Sequence, residues 1–311
     1  MPALPAVGSR VSLRYRLPAG SAKPLTDVIG HIEQAEPTVR LRTKSGELVD
    51  VAPADIVSVR ELSHAPVRAS EIRALEHAAA LAWPGTEQRW HRGWLLRAGL
   101  GATSRANSAV PLDLSAQIAD VPAIVDWYRA RGLPAWLALP ERLLPIRAAG
   151  IKPTRVMVRD TPATVPIPAT VTPAQPSTPN VTLAWQPDEQ WLRIYERDVP
   201  VEVLTAVVDG TLTFASAADR AVGRGAVTAA PDGTKWLGIS SVRVAADYRR
   251  QGHARAVCSA LLDWGAELGA QHAYVQVETD NAPAITLYTA LGFWLHHHTS
   301  YVAAEDVITP Q

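Results

Sequence analysis

Between Thr161 and Val181 six prolines (Pro162, Pro166, Pro168, Pro173, Pro176 and Pro179) stand among Thr and Ala. Proline donates no backbone hydrogen bond and clashes with the preceding helical turn, so neither a helix nor an inner strand runs through this stretch. The 311-residue chain must fold as blocks on either side of it, and residues 161–180 read as an extended linker. Hydrophobic residues make up 47% of the chain and charged residues 19%, enough apolar surface to give the blocks buried cores. Thirty Lys+Arg balance thirty Asp+Glu, so no global field draws the chain to nucleic acid or anionic lipid. A lone cysteine, Cys258, excludes an internal disulfide and a thiolate metal cluster and fits a reducing compartment. The first residues, MPALPAVGSR, lack the basic-then-apolar order of a secretory signal, and no apolar run is long enough to span a bilayer. The expectation is a soluble cytoplasmic protein without a membrane partner.

Residues 8–60 alternate with period two in short runs: Val11, Leu13 and Tyr15; Val28 and Ile32 with Gly30 between; Val39 and Leu41; Val49 and Val51; Val57 and Val59. Five strands with one helical turn at Ala52–Asp55 before the last predict an SH3-like or tudor-like β-barrel over residues 1–62, bent or bulged at Gly30. Arg14 with Arg16, and Arg40 with Arg42 and Lys44, alternate onto strand faces and would make basic stripes, though the segment as a whole carries eight Lys+Arg against seven Asp+Glu. Tyr15 is its one aromatic residue, which argues against an aromatic cage.

From Ala69 the apolar period becomes helical. Helices are expected from Ala69, at Leu114–Arg131 and at Leu143–Ala149, with strands at Ala135–Leu139 and Arg155–Val158. Beyond the linker the reading is strand, helix, three strands, then helix Ala254–Leu268, strand Ala273–Glu278, helix Pro283–Leu291 and a last strand. Asp126 to Ile151 follows the same order of helix, Gly, strand, helix and Gly as Asp263 to Phe293, which suggests two copies of one half-fold.

The chemistry concentrates at Leu237 to Phe293. Strand LGISSVRV leads into Asp247-Tyr248-Arg249-Arg250-Gln251-Gly252-His253-Ala254, which becomes a helix with Val257, Leu261, Trp264 and Leu268 on one face. A glycine loop feeding a helix start is an anion site: the first N–H groups lack partners, the dipole adds positive charge, and Gly252 and Ala254 admit a phosphate. Arg249, Arg250 and Arg255 add charged donors. The R-x-x-G-x-A spacing is neither a P-loop nor a dinucleotide fingerprint.

This segment resembles the GNAT superfamily of acyl-CoA-dependent N-acetyltransferases, whose pyrophosphate loop reads [QR]-x-x-G-x-[GA]. Arg249, Gly252 and Ala254 fill that pattern, Asn281 and Tyr288 stand where the family has its asparagine and tyrosine, and Gly292-Phe293 closes the helix as in the family. The resemblance implies an α+β fold, a mixed sheet flanked by helices, with a degenerate GNAT-like copy at 69–160 and a catalytic domain at 181–311. It implies acetyl-CoA as co-substrate, no metal, and an unidentified amine, small molecule or protein, as acceptor. The implied cofactor contacts are Val242, Arg243 and Val244 on the strand, Arg249 to Arg255 (with Gln251 and His253) in the loop, and Asn281, Ala284 and Tyr288 beyond. Backbone N–H groups on the strand through Ser241, Val242 and Val244 would receive the thioester oxygen, and Tyr288 would protonate the departing thiolate.

Many family members carry a carboxylate on the strand before the loop, and LGISSVRV has none. Glu278 is the candidate base, with His272 as second choice. Cys258 reads as a buried apolar residue. His296-His297-His298 alternates faces along a strand, so the three cannot share one ion, although one of them could line the acceptor site. Arg97, Arg105 and Asn107 of GWLLRAGLGATSRANSAVPL are the candidate acceptor-binding residues. A non-catalytic acetyl-CoA sensor, with the barrel as partner module, is the alternative from another class.

Overall fold

The computed structural model describes residues 4–5, 7–18, 20–63, 65–146, 148–161 and 180–308, so of the linker only Thr161 and Asn180 fall within the described residues. The chain divides into two compact units, Met1–Val67 and Arg68–Gln311.

The first unit contains β1 (Arg10–Arg16), β2 (Leu25–Gln34), β3 (Val39–Thr43), β4 (Leu48–Val51) and β5 (Ile56–Glu61) in one antiparallel sheet of order β4-β3-β2-β1-β5. The period-two pattern does what it predicts: Val11, Leu13, Val28, Ile32, Val39, Leu41, Val51 and Ile56 share a buried face. A 3-10 turn at Pro53–Asp55 precedes the last strand. Gly30 is required for a different reason from the one expected. A Cβ there would lie 2.6 Å from the Arg42 carbonyl oxygen, while the register slips two residues later, between Ile32 and Gln34. Three of the five stripe cations meet carboxylates across the strands: Arg14 grips Asp27 and Arg40 grips Asp50 through paired hydrogen bonds, and Arg42 pairs with Glu33, while Arg16 reaches Ala54 O (3.4 Å). Exposed pairs add little stability. Their effect is to cancel the field.

The second unit begins with α1 (Ala69–Ala82), a small sheet of β6 (Glu87–His91), β7 (Trp94–Ala98) and β8 (Val110–Pro111), and α2 (Val121–Arg129). Then come β9 (Trp136–Pro140), β10 (Ile151–Asp160), β11 (Thr182–Ala184), α3 (Glu189–Tyr195), α4 (Val201–Leu204), β12 (Thr211–Ala217), β13 (Ala221–Ala229) and β14 (Lys235–Val244). The chain closes with α5 (His253–Glu267), β15 (His272–Glu278), α6 (Ala282–Ala290), β16 (Trp294–Ala303) and α7 (Ala304–Ile308). Eight strands form one mixed sheet, β11-β12-β13-β14-β15-β10-β16-β9, in which β14 and β15 run parallel and the other pairs antiparallel. Alternation along β14 and β15 sends Leu237, Ile239 and Val275 to α5, and Trp236 and Tyr274 to α1.

Strands from both sides of the linker share one sheet, with β10 between β15 and β16 and β9 paired with β16. Two expectations give way here. Residues 143–149 are not helical, and the helix expected from Leu114 starts only at Val121, with Pro122 in its first turn, where a missing N–H costs nothing.

One buried cation ties these layers together. Arg224 of β13 has no exposed surface; its Nε donates to Leu204 O (2.8 Å) and its Nη2 to Ala82 O (2.8 Å) and Ala206 O (2.9 Å). It thereby caps the carboxyl ends of both α1 and α4, whose last carbonyls lack helical partners, and Trp83 stacks 4.2 Å from its guanidinium carbon. Burial draws its pKa down to about 9, which leaves it charged at neutral pH. Arg224→Leu strands three buried carbonyls and should cost at least about 3 kcal/mol in urea unfolding of the full chain. An unchanged midpoint would show the staple to be idle.

Candidate active site

Strand β14 pairs with β15 only from Trp236 to Ile239, opposite His272 to Val275. The cause of the parting lies two residues further on. Ser241 has φ 54°, and the register with β13 slips so that Ser241 and Val242 together face Gly223. Such a bulge bends and twists its strand, and it turns the rest of β14 away from β15. Gly223 accommodates the bend: a Cβ there would lie 2.6 Å from Val257 of α5. The opening is a cavity of about 760 Å³. Ser240 to Arg243 form one wall, Gln276 to Glu278 the other, and Asn281, Ala284 and Tyr288 of α6 stand at its base.

Past β14 the loop prepares a second feature. Arg250 (φ 64°) and Gly252 (φ 87°) are both left-handed, and Gly252 is the N-cap of α5. Ala256 is the residue whose N–H reaches back to Gly252 O (3.0 Å), so the N–H groups before it are without helical acceptors. A Cβ on Gly252 would meet nothing within 4 Å, so the loop is open to a ligand rather than packed. Arg249 and Arg250 are exposed. Gln251 ties the loop through Nε2 to Asp247 O (3.1 Å), and Arg255 Nη1 reaches Ala290 O (3.4 Å) at the end of α6. The His253 ring is buried against Tyr248 with both nitrogens unpartnered, leaving only its backbone for an anion. Open helix start, uncommitted cations and adjoining cavity fit an elongated phosphate-bearing thioester. Arg243 pairs with Glu196, and Val244 packs on the α5 core away from the cavity.

Tyr288 is 8% exposed, its ring against Phe293 at 5.7 Å, and its hydroxyl makes no hydrogen bond among the described residues. Burial, with the neighbouring Cys258, pushes its phenol well above the ordinary range. It stays protonated and faces the cavity as a donor. Cys258 itself is fully buried, its thiol pushed up to about 12 by burial. Asn281 accepts from Ala284 N (3.2 Å), capping α6 while lining the cavity. Glu278 ends β15 exposed at the cavity.

Other expected residues stand elsewhere. His272 is at the opposite end of β15 from Glu278, about 20 Å along the strand, with its Nδ1 2.8 Å from Asp160 Oδ1. Arg97 is buried on Ser108 O, Ser108 Oγ and Trp83 O, and Asn107 spends its carboxamide on Gly99, Gly101 and Thr103. Both are interior, so of the three residues expected at the acceptor only Arg105 lines the cavity. Trp83, Lys152, Asp198 and Tyr301 also line it, brought from distant elements with no motif to announce them.

The histidine run departs from simple alternation as well. The register with β10 slips at Val156/Met157, so consecutive rings meet: His296 Nδ1 lies 2.8 Å from His297 Nδ1, and His297 Nε2 2.9 Å from Glu76 Oε1. A carboxylate only accepts, so the His297–Glu76 contact places a proton on Nε2 of His297. None of the three lines the cavity, and among the described residues no group of His, Cys, Asp or Glu is placed to hold a metal.

Against this geometry the comparisons are specific. Residues 69–302 match the family model "Probable histone acetyltransferase Rv0428c C-terminal", and residues 5–60 match the Rv0428c N-terminal Sm-like domain. The chain belongs to this family. The N-terminal unit is accordingly Sm-like. The probable histone acetyltransferase Rv0428c of Mycobacterium tuberculosis is 49% identical over 306 residues, covering 97% of each chain. The uncharacterized N-acetyltransferase YobR of Bacillus subtilis is 24% identical over 253 residues, 72% of this chain and 94% of its own. A GCN5-related N-acetyltransferase from Kribbella flavida superposes with TM-score 0.54 at 17% identity, over 76% of this chain and 95% of that one. The family member described here is a GNAT-fold N-acetyltransferase, and such enzymes use acetyl-CoA. No helix among its described residues is long and apolar enough to cross a membrane.

Burial, with His297 beside it, lowers the His296 pKa from 6.5 to about 3. A histidine held neutral in the fold takes up its proton on unfolding, so this stability is complete above pH 6.5 and drains as pH falls toward 3. Unfolding midpoints should decline across that window, and His296→Gln should flatten the slope. An equal slope in the variant would refute the assignment.

Proposed function

We propose that the enzyme transfers acetyl directly from acetyl-CoA to a lysine-type amine, with Tyr288 as general acid and Glu278 as general base. The observation that carries this reading is the parted pair β14/β15 with a free, protonated phenol at the base of the gap. Acetyl-CoA supplies an activated thioester. The backbone N–H groups at the start of α5, with Arg249 and Arg250, hold its pyrophosphate. The unpaired edge of β14 beyond Ile239 offers N–H groups to the carbonyl oxygen and to the charge that gathers on it. Glu278, at the end of the opposite cavity wall, takes the ammonium proton of the acceptor. The amine then forms the C–N bond, the C–S bond breaks with its pair going to sulfur, Tyr288 protonates the thiolate, and the second proton shed by the nitrogen as the amide forms restores the phenol.

A lysine-type acceptor is carried over from the name of the M. tuberculosis relative, a probable histone acetyltransferase at 49% identity. Three carboxylates on the cavity, Asp198, Glu278 and Asp280, suit a cationic acceptor segment.

Thiol release from acetyl-CoA, measured over a panel of lysine peptides, free amino acids and small amines, tests both parts. Tyr288→Phe should lower kcat about 100-fold with little change in KM for acetyl-CoA, and Gly252→Trp should abolish acetyl-CoA binding by filling the open loop. Tight binding with no turnover on any amine would overturn the transfer reading, and turnover confined to small amines would overturn the lysine assignment.

A further inference from the structure

Arg105 is a cation on the cavity wall for which this scheme has no task. Arg105 stands on the 3-10 turn Ser104–Ala106 and reaches β15, its Nε donating to Gln276 Oε1 (2.8 Å) and its Nη2 to Gln276 O (2.8 Å). Carbonyls along a strand face its two neighbours alternately. Thr279 N donates to Pro153 O on the β10 side, so Gln276, three residues earlier, faces β14. Val275 is the last β15 residue paired with β14. The guanidinium has therefore taken a carbonyl that the parting of the strands set free.

The turn under Arg105 is itself held from both sides. Asn107 makes four hydrogen bonds to Gly99, Gly101 and Thr103, and Lys152 Nζ donates to Ser104 Oγ (2.7 Å). Arg105 is half-buried and no carboxylate pairs with it among the described residues, while its Nη1 makes no hydrogen bond there. Behind it, the buried guanidiniums of Arg97 and Arg224 are bound by carbonyls and a hydroxyl, again without a carboxylate. Positive charge withdrawn from water without a counter-charge is costly, and it favours whatever negative charge enters beside it. Burial pushes the Tyr274, Tyr288 and Tyr301 phenols up, and the Arg105 charge opposes that rise in each, after Arg224 at Tyr274.

We infer that Arg105, anchored on Gln276 where β14 and β15 part, stabilises the negative charge released on sulfur when the thioester is cleaved. It is a positioning charge rather than the acid: the bond pair goes to sulfur, the guanidinium lowers the energy of that thiolate, and Tyr288 supplies the proton. The inference rests on the acetyl-CoA reading above.

The test is equilibrium binding to the full chain of CoA and of S-methyl-CoA, a thioether that cannot ionise, by calorimetry and thiolate ultraviolet absorbance. Titrations bracket the ordinary thiol pKa of about 8.5. With rising pH, CoA should gain affinity over S-methyl-CoA with a midpoint below that of the free thiol. Arg105→Gln removes the charge. Gln276→Glu keeps the anchor and cancels the charge. Each should raise the midpoint by about one unit, a tenfold loss of thiolate preference, with S-methyl-CoA affinity unchanged, whereas Arg105→Lys should keep most of it. A wild-type midpoint in both neutralising variants, or a shift in Arg105→Gln alone, overturns the inference, the latter result marking a purely structural role. If the wild type binds neither ligand, the acetyl-CoA reading falls, and this one with it.

Discussion

A single left-handed residue parts two strands, and most of what is distinctive in the second unit follows from that. Ser241 is neither glycine nor asparagine, yet it holds φ 54° with its hydroxyl buried and unpartnered. That conformation costs on the order of 1–2 kcal/mol. It persists because the surroundings over-determine it: Arg224 is paired with Ser240 immediately before the bulge, Gly223 lets α5 press against it, and Trp83 Nε1 reaches Ser240 Oγ at 3.3 Å. Strain at one point is exchanged for an open edge inside an otherwise continuous sheet, and an open edge is what a carbonyl-binding site needs.

Charge is handled in opposite ways in the two units. In the Sm-like unit Arg14, Arg40 and Arg42 lie against carboxylates on neighbouring strands and their field is cancelled at the surface. In the second unit Arg97, Arg105 and Arg224 are withdrawn from water onto carbonyls, so their charge stays in the interior close to the cavity. Glu76, the buried carboxylate on the α1 side, is hydrogen-bonded to His297. A formal net charge of zero thus conceals positive charge held in the interior on carbonyls.

Much of this was legible from local pattern. Period-two alternation located the five strands of the first unit, and the R-x-x-G-x-A loop with Asn281, Tyr288 and Gly292-Phe293 located α5, α6 and the strand between them to within a residue or two. Such features are written in contiguous residues. The failures share a cause. Arg97 and Asn107 looked like polar residues for a ligand, but a polar residue on a strand or turn shows no sign of which layer will cover it, and here that layer is the protein's own interior. The histidine run broke alternation at a bulge, and a bulge is set by the partner strand rather than by the run.

The sequence by itself determined the elements and the loop chemistry: strands where β-branched and polar residues alternate, a helix after Gly252, an anion-binding start because helical N–H groups there have no partners. Only the tertiary structure decided that β10 enters the sheet between β15 and β16, that β14 leaves β15 after Ile239, and that Arg105 crosses to Gln276. The reason is range: propensity and capping act over a few residues, while strand order, register slips and buried charge depend on partners more than a hundred residues away in the chain, as Arg105 and Gln276 are.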